Sequence, residues 1–564
     1  MKKTRLLRSL TRRRVRTRKA LSLLPLAIVI TGVLVVSARA AGPVGPAIAP
    51  SGAISARAGA PVLRTPANMD SDAKLGPAAP AAAAAAAGGA GMFINRPTIP
   101  LAEYNSMKSL SNGAKGPRSG APADPPPPVV KGFNFPAAVQ GENSVTEFPS
   151  DNHLAAGPNQ VVEITNASFD VWSKPPSSVN GVALHLKSRS LNTFTGSSDF
   201  LGDSRVVYDS LFNRWVITID DFSNLINSGR PNFFLAVSET PDATGQFLIF
   251  PIVFSGPSLF YDYPQLGIDQ DSLLFTANLF SGNTPAGAAV FAFPKARIYN
   301  ALPIIAAAVF VVPPADGTIA PPIVLSNDGD PRDIFVSAPV GAGQTQILKF
   351  TMTNSSRVFP TLAGPVPITV PGYSTPPPNA RQTCTDGNPT LLVDTLDGRF
   401  QNASIQNGAS LWQVHDVNEV LPTPLFYQFN INTNTTIQSS DFFRNATSFD
   451  FNPTIAADAS NRAFVTWTVS DPVLGQDAMV FFGGRLPADA LGVMNVQPTP
   501  AVISQTCLTQ NFDPNFGLQR WGDYSAVSVD PSPAAPDLAW IVNQDILGTP
   551  SRNNWGSQIV RIGN

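Results

Sequence analysis

The residues best suited to chemistry in this chain are carboxylates and tyrosines placed just before short apolar runs. Asp262-Tyr263-Pro264 and Asp523-Tyr524-Ser525 share an Asp-Tyr pair. Asp151 and Asp203 stand at nearly the same place before related runs, with Arg205, Arg520 and Trp521 close by in sequence. A ring of carboxylate and amide oxygens suits a hard cation such as Ca²⁺. Carboxylates together with Trp and Tyr suit a sugar. An Asp at a strand entry also accepts backbone N–H bonds and fixes a turn, which needs no ligand. All three readings use one candidate set: Asp151, Asp203, Arg205, Asp262, Tyr263, Arg520, Trp521, Asp523 and Tyr524. No motif marks any residue as catalytic. The three histidines (His153, His185, His415) and the lack of C-x-x-C or H-E-x-x-H spacing argue against a His-rich metal centre.

What must position these residues is a repeat. Asp203–Asp209, Tyr263–Asp269, Asn388–Asp394, Asn452–Asp458 and Tyr524–Asp530 each read as a β-type run ending in Asp, followed after a turn by a second strand-like run. Two weaker copies end at Gly157 and Asn327. The anchors recur at intervals of roughly 50–70 residues, which suits a β-propeller blade with generous loops. The expectation is an all-β propeller of seven blades, or six if the copy near Asn327 is only a loop. Two β-sandwiches are the competing arrangement. The first strand of each blade lines the channel, so the candidate carboxylates should gather at one mouth.

The remaining chain divides by composition. Residues 1–40 run from a Lys/Arg-rich stretch through an apolar run to Ala38-Arg39-Ala40, the order of a secretory signal peptide. The apolar run Ala20 to Val36, seventeen residues broken by Pro25 and Gly32, sits at the short edge for a membrane span, so cleavage is expected over an uncleaved anchor, with no span in the mature chain. Residues 41–132 are rich in Ala, Pro and Gly and read as a disordered linker. Residues 133–564 form the propeller domain. The final unit is short of one strand, and Val139–Phe148 is expected to supply it, closing the ring and leaving a monomer without open edges. The whole chain has 38 Lys+Arg against 39 Asp+Glu. Eleven of the basic residues lie in 1–40, so the mature chain is acidic and lacks a footprint for nucleic acid. Cys384 and Cys507 either form a disulfide in an oxidising compartment or remain two buried thiols.

Several stretches carry a resemblance. Pro149–Asn166, Asp203–Trp215, Ala236–Asp242, Asp262-Tyr263-Pro264 and Arg520-Trp521-Gly522-Asp523-Tyr524-Ser525 resemble a family of exported bacterial β-propellers, sialidase-like in fold. The resemblance implies fold and export, to the cell envelope or the medium. Two functions follow as expectations. One is a non-catalytic module that binds glycan or extracellular protein. The other is a sialidase-like glycoside hydrolase, with Tyr263 or Tyr524 as nucleophile and Asp203 or Asp151 as acid.

Overall fold

Strand Arg214–Asp221 shows why the repeat folds as packed sheets. It sends Trp215, Ile217 and Ile219 into one apolar cluster and Val216 into another. Period-two alternation with both faces apolar is the pattern of a strand sandwiched between neighbouring sheets. The first cluster also holds Val162, Ile164 and Val171, and the second Leu266, Ile268 and Leu273, so each face packs on a different neighbouring unit.

The computed structural model describes residues 44–72, 96–113, 128–144, 148–174, 178–179, 182–225, 231–326, 331–532, 537–548 and 554–563. The expected signal peptide lies outside the described residues. Among them, strands pair mostly antiparallel with their neighbours in the chain, and the pairings fall into successive units. Their first strands are His153–Ala156, Leu201–Asp209, Phe260–Ile268, Pro322–Ser326, Ser404–Asn407, Phe449–Ala457 and Ala526–Val529. These neighbour one another in order, and the seventh neighbours the first. Radial sheets around a ring of inner strands are the architecture of a β-propeller. The fourth unit is the odd one. Its first strand lies parallel to those of units three and five and joins its own sheet through the bridge between Ala320 and Val336.

The anchor Asp residues fix the turns after the first strands. Asp209 Oδ1 accepts from the N–H groups of Leu211 and Phe212, at 3.1 and 3.2 Å. Asp458 does the same for Ser460 and Arg462, and Asp530 for Ser532. The other oxygen of Asp209 takes Lys295 at 2.7 Å and the Tyr299 hydroxyl at 2.6 Å. Lys174 pairs with Asp530 at 2.7 Å, tying unit one to unit seven.

Three expectations need correction. Residues 388–394 are a loop with a short 3₁₀ turn, Pro389–Leu391, and the first strand of unit five is Ser404–Asn407. Pro389 and the cap made by the Asn388 side chain turn the chain away before a strand can start. The closing strand is Val129–Val139, not Val139–Phe148, and it pairs with Asn554–Gly563. Finally, the segment 41–132 is not a linker throughout. Pro50–Ala58 pairs with both Phe247–Ser255 and Ile304–Val312, bridging the outer strands of units two and three. Ile54, Ala56 and Ala58 form its buried face and join the apolar cluster of units two and three. Helix Leu101–Asn112 also falls in this segment. The cysteines are joined, Cys384 to Cys507, with Cα atoms 6.3 Å apart, which lies within the ordinary span of such bridges. No helix among the described residues is long and apolar enough to cross a membrane.

A chain that starts at Phe133 loses the bridging strand, the helix and part of the closing strand. Burial of Ile54, Ala56, Ala58, Met69 and Tyr104 alone is worth on the order of 5–10 kcal/mol. Such a chain is expected to melt well below one that starts at residue 41, by differential scanning calorimetry. Equal melting temperatures would show that the N-terminal segment contributes nothing to the ring.

Candidate functional site

The inner strands enter the axis through backbone that most residues avoid. Asp151, Asp203, Tyr263 and Asn452 have φ of 50°, 48°, 57° and 55°. Three of these positions sit at register breaks, between Gly202 and Arg205, Asp262 and Gln265, and Phe451 and Thr454. A β-bulge with left-handed backbone re-aims the following side chains, and it is strained for a residue such as Tyr. The strain is held by bonds between units. Asn166 Oδ1 accepts from the Asp203 N–H at 2.9 Å, and Asp416 Oδ2 from that of Asn452 at 2.8 Å.

These bulges bring the candidate residues together. The Asp523 N–H donates to Asp151 Oδ1 at 2.7 Å. The Tyr524 hydroxyl donates to Asp203 Oδ2 at 3.1 Å, and the Tyr263 hydroxyl to the Asp523 carbonyl at 3.3 Å. The two tyrosine rings meet edge to face at 4.9 Å. Arg205 lies 3.3 Å from the centre of the Tyr524 ring. It donates to the Pro264 and Gln401 carbonyls and to Asn402 Oδ1, at 2.8–3.0 Å. Arg520 lies 2.6 Å from Asp523 and 3.3 Å from Asp394. Trp521 is the exception. It packs edge-on against Phe451 within an apolar cluster and offers no platform.

Sequence reasoning missed what covers this mouth. Arg96 pairs with Asp262 at 3.2 Å, and its carbonyl accepts from Arg399 at 2.8 Å. Arg399 in turn pairs with Asp397 at 2.7 Å and stacks over Tyr263 at 4.4 Å. Helix Leu101–Asn112 is pinned by polar groups at one face. Lys108 Nζ donates to the Pro377 and Leu396 carbonyls and to Thr395 Oγ1, and Ser111 to the Pro376 carbonyl. Tyr104 is 1% exposed. Burial pulls the Lys108 amine down to about 8. The Arg96 and Lys108 partners carry no apolar periodicity, which is why this segment looked like linker.

The electrostatics follow from that cover. Burial, reinforced by Asp151, Asp262 and Asp523, holds the Asp203 carboxyl far above the usual range. Burial also pushes Asp523 up, against the pull of Arg520. Burial raises Tyr263 and Tyr524 well above the ordinary phenol value, which is the wrong direction for a nucleophile. Every arginine of the cluster already serves protein acceptors. Asp262 and Asp523 face guanidinium groups, and Asp151 is filled by the Asp523 N–H and by Asn166 Nδ2 at 2.8 Å. Among the described residues, these four carboxylates do not present three ligand atoms within 4.8 Å of one another.

The opposite mouth is different. A cavity of ≈ 320 Å³ runs between the first strands of all seven units, lined mainly by apolar side chains such as Leu266, Ile323, Ile405 and Val527. His153 and Asn402 also line it. Burial and the Arg205 charge keep His153 neutral, well below the usual imidazole value. The cavity shares Tyr208, Ile268, Ile323 and Leu325 with a groove of ≈ 540 Å³. That groove shares Lys295 with an outer pocket of ≈ 590 Å³ that holds Phe212, Arg214, Tyr299 and Arg357.

No protein-family model and no curated protein matches the chain. Solved structures that share its strand-rich form include an N10 neuraminidase-like protein of A/little yellow-shouldered bat/Guatemala/060/2010, at 10% identity over 63% of this chain and 98% of that one, TM-score 0.33. An exo-beta-1,3-galactanase from Phanerochaete chrysosporium is 7% identical over 77% and 99%, TM-score 0.30. A hypothetical selenium-binding protein from Sulfolobus tokodaii is 8% identical over 63% and 81%, TM-score 0.35. No residue role transfers at this distance.

The Asp203 carboxyl gives a pH test. Its folded value lies above its unfolded value near 4, so the stability it contributes is complete below about pH 4 and is lost as pH rises. Asn tolerates left-handed backbone and keeps an acceptor for Tyr524. Asp203→Asn is therefore expected to melt higher than wild type at pH 8 and no higher at pH 3.5. A variant that melts lower at pH 8 would mean that Asp203 is ionised in the fold and held by its partners.

Proposed function

We propose that this chain is an exported, seven-bladed β-propeller that acts as a non-catalytic binding module for a segment of an extracellular protein. Support for export comes from the basic–apolar–Ala-x-Ala order of residues 1–40 and from the Cys384–Cys507 bridge. The observation that carries the binding reading is the contrast between the two mouths. The end rich in Asp, Tyr and Arg is filled by the chain's own Arg96 and its helix, while the other end opens into an apolar cavity continuous with a groove. A peptide suits this surface better than a neutral glycan does. Its apolar side chain would enter the channel, and its acidic groups would meet Arg214 and the exposed Arg357, where Phe212, Val358 and Phe359 offer apolar area.

The test is an array of acidic-apolar peptides beside a glycan array, with fluorogenic glycosides as a measure of turnover. Leu325 lines the mouth and is 43% exposed, so Leu325→Trp fills the entrance without entering the core. Peptide binding is expected, weakened at least about tenfold by Leu325→Trp and by Arg357→Glu, at unchanged melting temperature. Glycoside turnover that disappears in Tyr524→Phe would replace this reading with the hydrolase. Glycan binding indifferent to Leu325→Trp would move the site elsewhere.

A further inference from the structure

A second cluster of ionisable groups lies away from the axis, where the closing strand hands over to unit one. Glu142 stands in the turn that follows Val129–Val139. Asp170 lies on Phe169–Ser173 and His185 on His185–Arg189, the two outer strands of unit one. One ligand atom from each lies within 4.8 Å of the other two. His185 Nε2 is 2.7 Å from Asp170 Oδ1.

The surroundings of these groups resemble the supporting shell of a metal site. The Ser168 hydroxyl donates to Asp170 Oδ2, and the Ser188 hydroxyl to Glu142 Oε1 at 2.9 Å. Each carboxylate thus has one oxygen oriented by a serine. Trp172 stacks on the His185 ring at 4.0 Å, with planes 11° apart, and so fixes the imidazole plane. Outer partners that orient ligands in this way set metal affinity.

The local charge also calls for a cation. Glu163 is buried beside Asp170 and adds a third carboxyl to the group, and its Oε1 is 3.4 Å from Asn152 Nδ2. Lys187 and Arg189, the cations on the His185 strand, turn instead to Asp70 at 2.6 and 3.1 Å. Only His185 is left to balance three carboxyls among the described residues that act on this cluster. Burial answers part of the imbalance by pushing Glu163 up to about 8. It leaves Glu142 and Asp170 facing each other across one imidazole.

We propose that Glu142, Asp170 and His185 bind one divalent transition-metal ion of the Zn²⁺ type, which pins the turn after the closing strand to unit one. One nitrogen and two carboxylate oxygens, with a position left for water, suit Zn²⁺ better than an all-oxygen cation such as Ca²⁺. The ion binds neutral imidazole, so it displaces the proton that His185 shares with Asp170. The site is half-open, with the His185 side chain 34% exposed, which leaves a path for entry.

The experiment uses the full mature chain, stripped with chelator and titrated with Zn²⁺ by calorimetry. Near one equivalent is expected to bind, with a rise in melting temperature. Affinity is expected to fall at least about tenfold in His185→Ala and in Glu142→Gln. Glu142 is only partly buried, so the Gln variant keeps the turn should the His185 variant fold poorly. No saturable Zn²⁺ binding by wild type would overturn the proposal. So would equal affinity in folded Glu142→Gln, or stabilisation by Ca²⁺ with none by Zn²⁺. None of these three outcomes bears on the channel, which lies on other strands.

Discussion

The guanidinium of Arg205 is the pin on which this ring closes. It leaves the first strand of unit two, bonds the backbone of unit three at Pro264, reaches Gln401 and Asn402 ahead of unit five, and lies flat on the Tyr524 ring of unit seven. A planar cation with five donors can serve several acceptors in its plane while its face stacks on a ring, and lysine has no such face. Buried charge is expensive unless it is paired and hydrogen-bonded. Here the cost is offset because three buried oxygens take its donors: the Pro264 carbonyl within the bulge between Asp262 and Gln265, and the Gln401 carbonyl and Asn402 Oδ1 just before the first strand of unit five. The left-handed entries and the buried arginine therefore require each other.

That requirement spreads outward. Carboxylates at the entries accept backbone N–H groups from neighbouring units, as Asp151 does from Asp523. Their remaining negative charge needs cations, which come from Arg399, Arg520 and Arg96. Arg96 can contribute only if the N-terminal segment lies across the mouth. Helix Leu101–Asn112 holds it there by donating to the carbonyls of a proline-rich loop, which has no N–H groups to spare for pairing with itself. The same logic explains Lys108: its amine is buried beside Asp394, Asp397 and Asp416, whose field opposes the loss of charge that burial favours.

How much of this was legible depends on where the information sits. The copies ending at Asp209, Asp269, Asp458 and Asp530 were readable because one Asp does the same turn-fixing work in each. The convergence of Asp151, Asp203, Asp262 and Asp523 followed from that register. Unit five was misaligned because Asn388-Pro389-Thr390-Leu391 copies the residue pattern of Asn452-Pro453-Thr454-Ile455, while the true strand Ser404–Asn407 is short and polar. The N-terminal segment was invisible for a different reason. Pattern reading finds apolar stripes, but Pro50–Ala58 docks through alanines, and the helix docks through Tyr104, Lys108 and Ser111. These three are spaced one turn apart, yet two of them are polar. The grouping of His185 with Asp170 and Glu142 is not legible in the sequence, because they lie 15 and 43 positions away and no compact motif joins them.

The residues that invited a catalytic reading are the ones the ring consumes for its own assembly. A retaining hydrolase of the sialidase kind would need guanidinium groups free to meet a substrate carboxylate and a phenol poised to lose its proton. In this axis Arg205 and Arg399 are stacked on tyrosine faces and bonded to carbonyls or to Asp397, and Arg520 is held between two aspartates. Releasing Arg399 or Arg520 would strand a buried carboxylate, at a cost of about 3–5 kcal/mol, and releasing Arg205 would strand the buried oxygens it serves. Catalysis there would have to spend the interactions that close the ring. The apolar mouth carries less of this conflict: Leu266, Ile323, Ile405 and Val527 in its lining make no side-chain hydrogen bond, so contact with them breaks no bond between units. In units two, three and six the bulge at the entry lets one end of the first strand be polar while the other stays apolar.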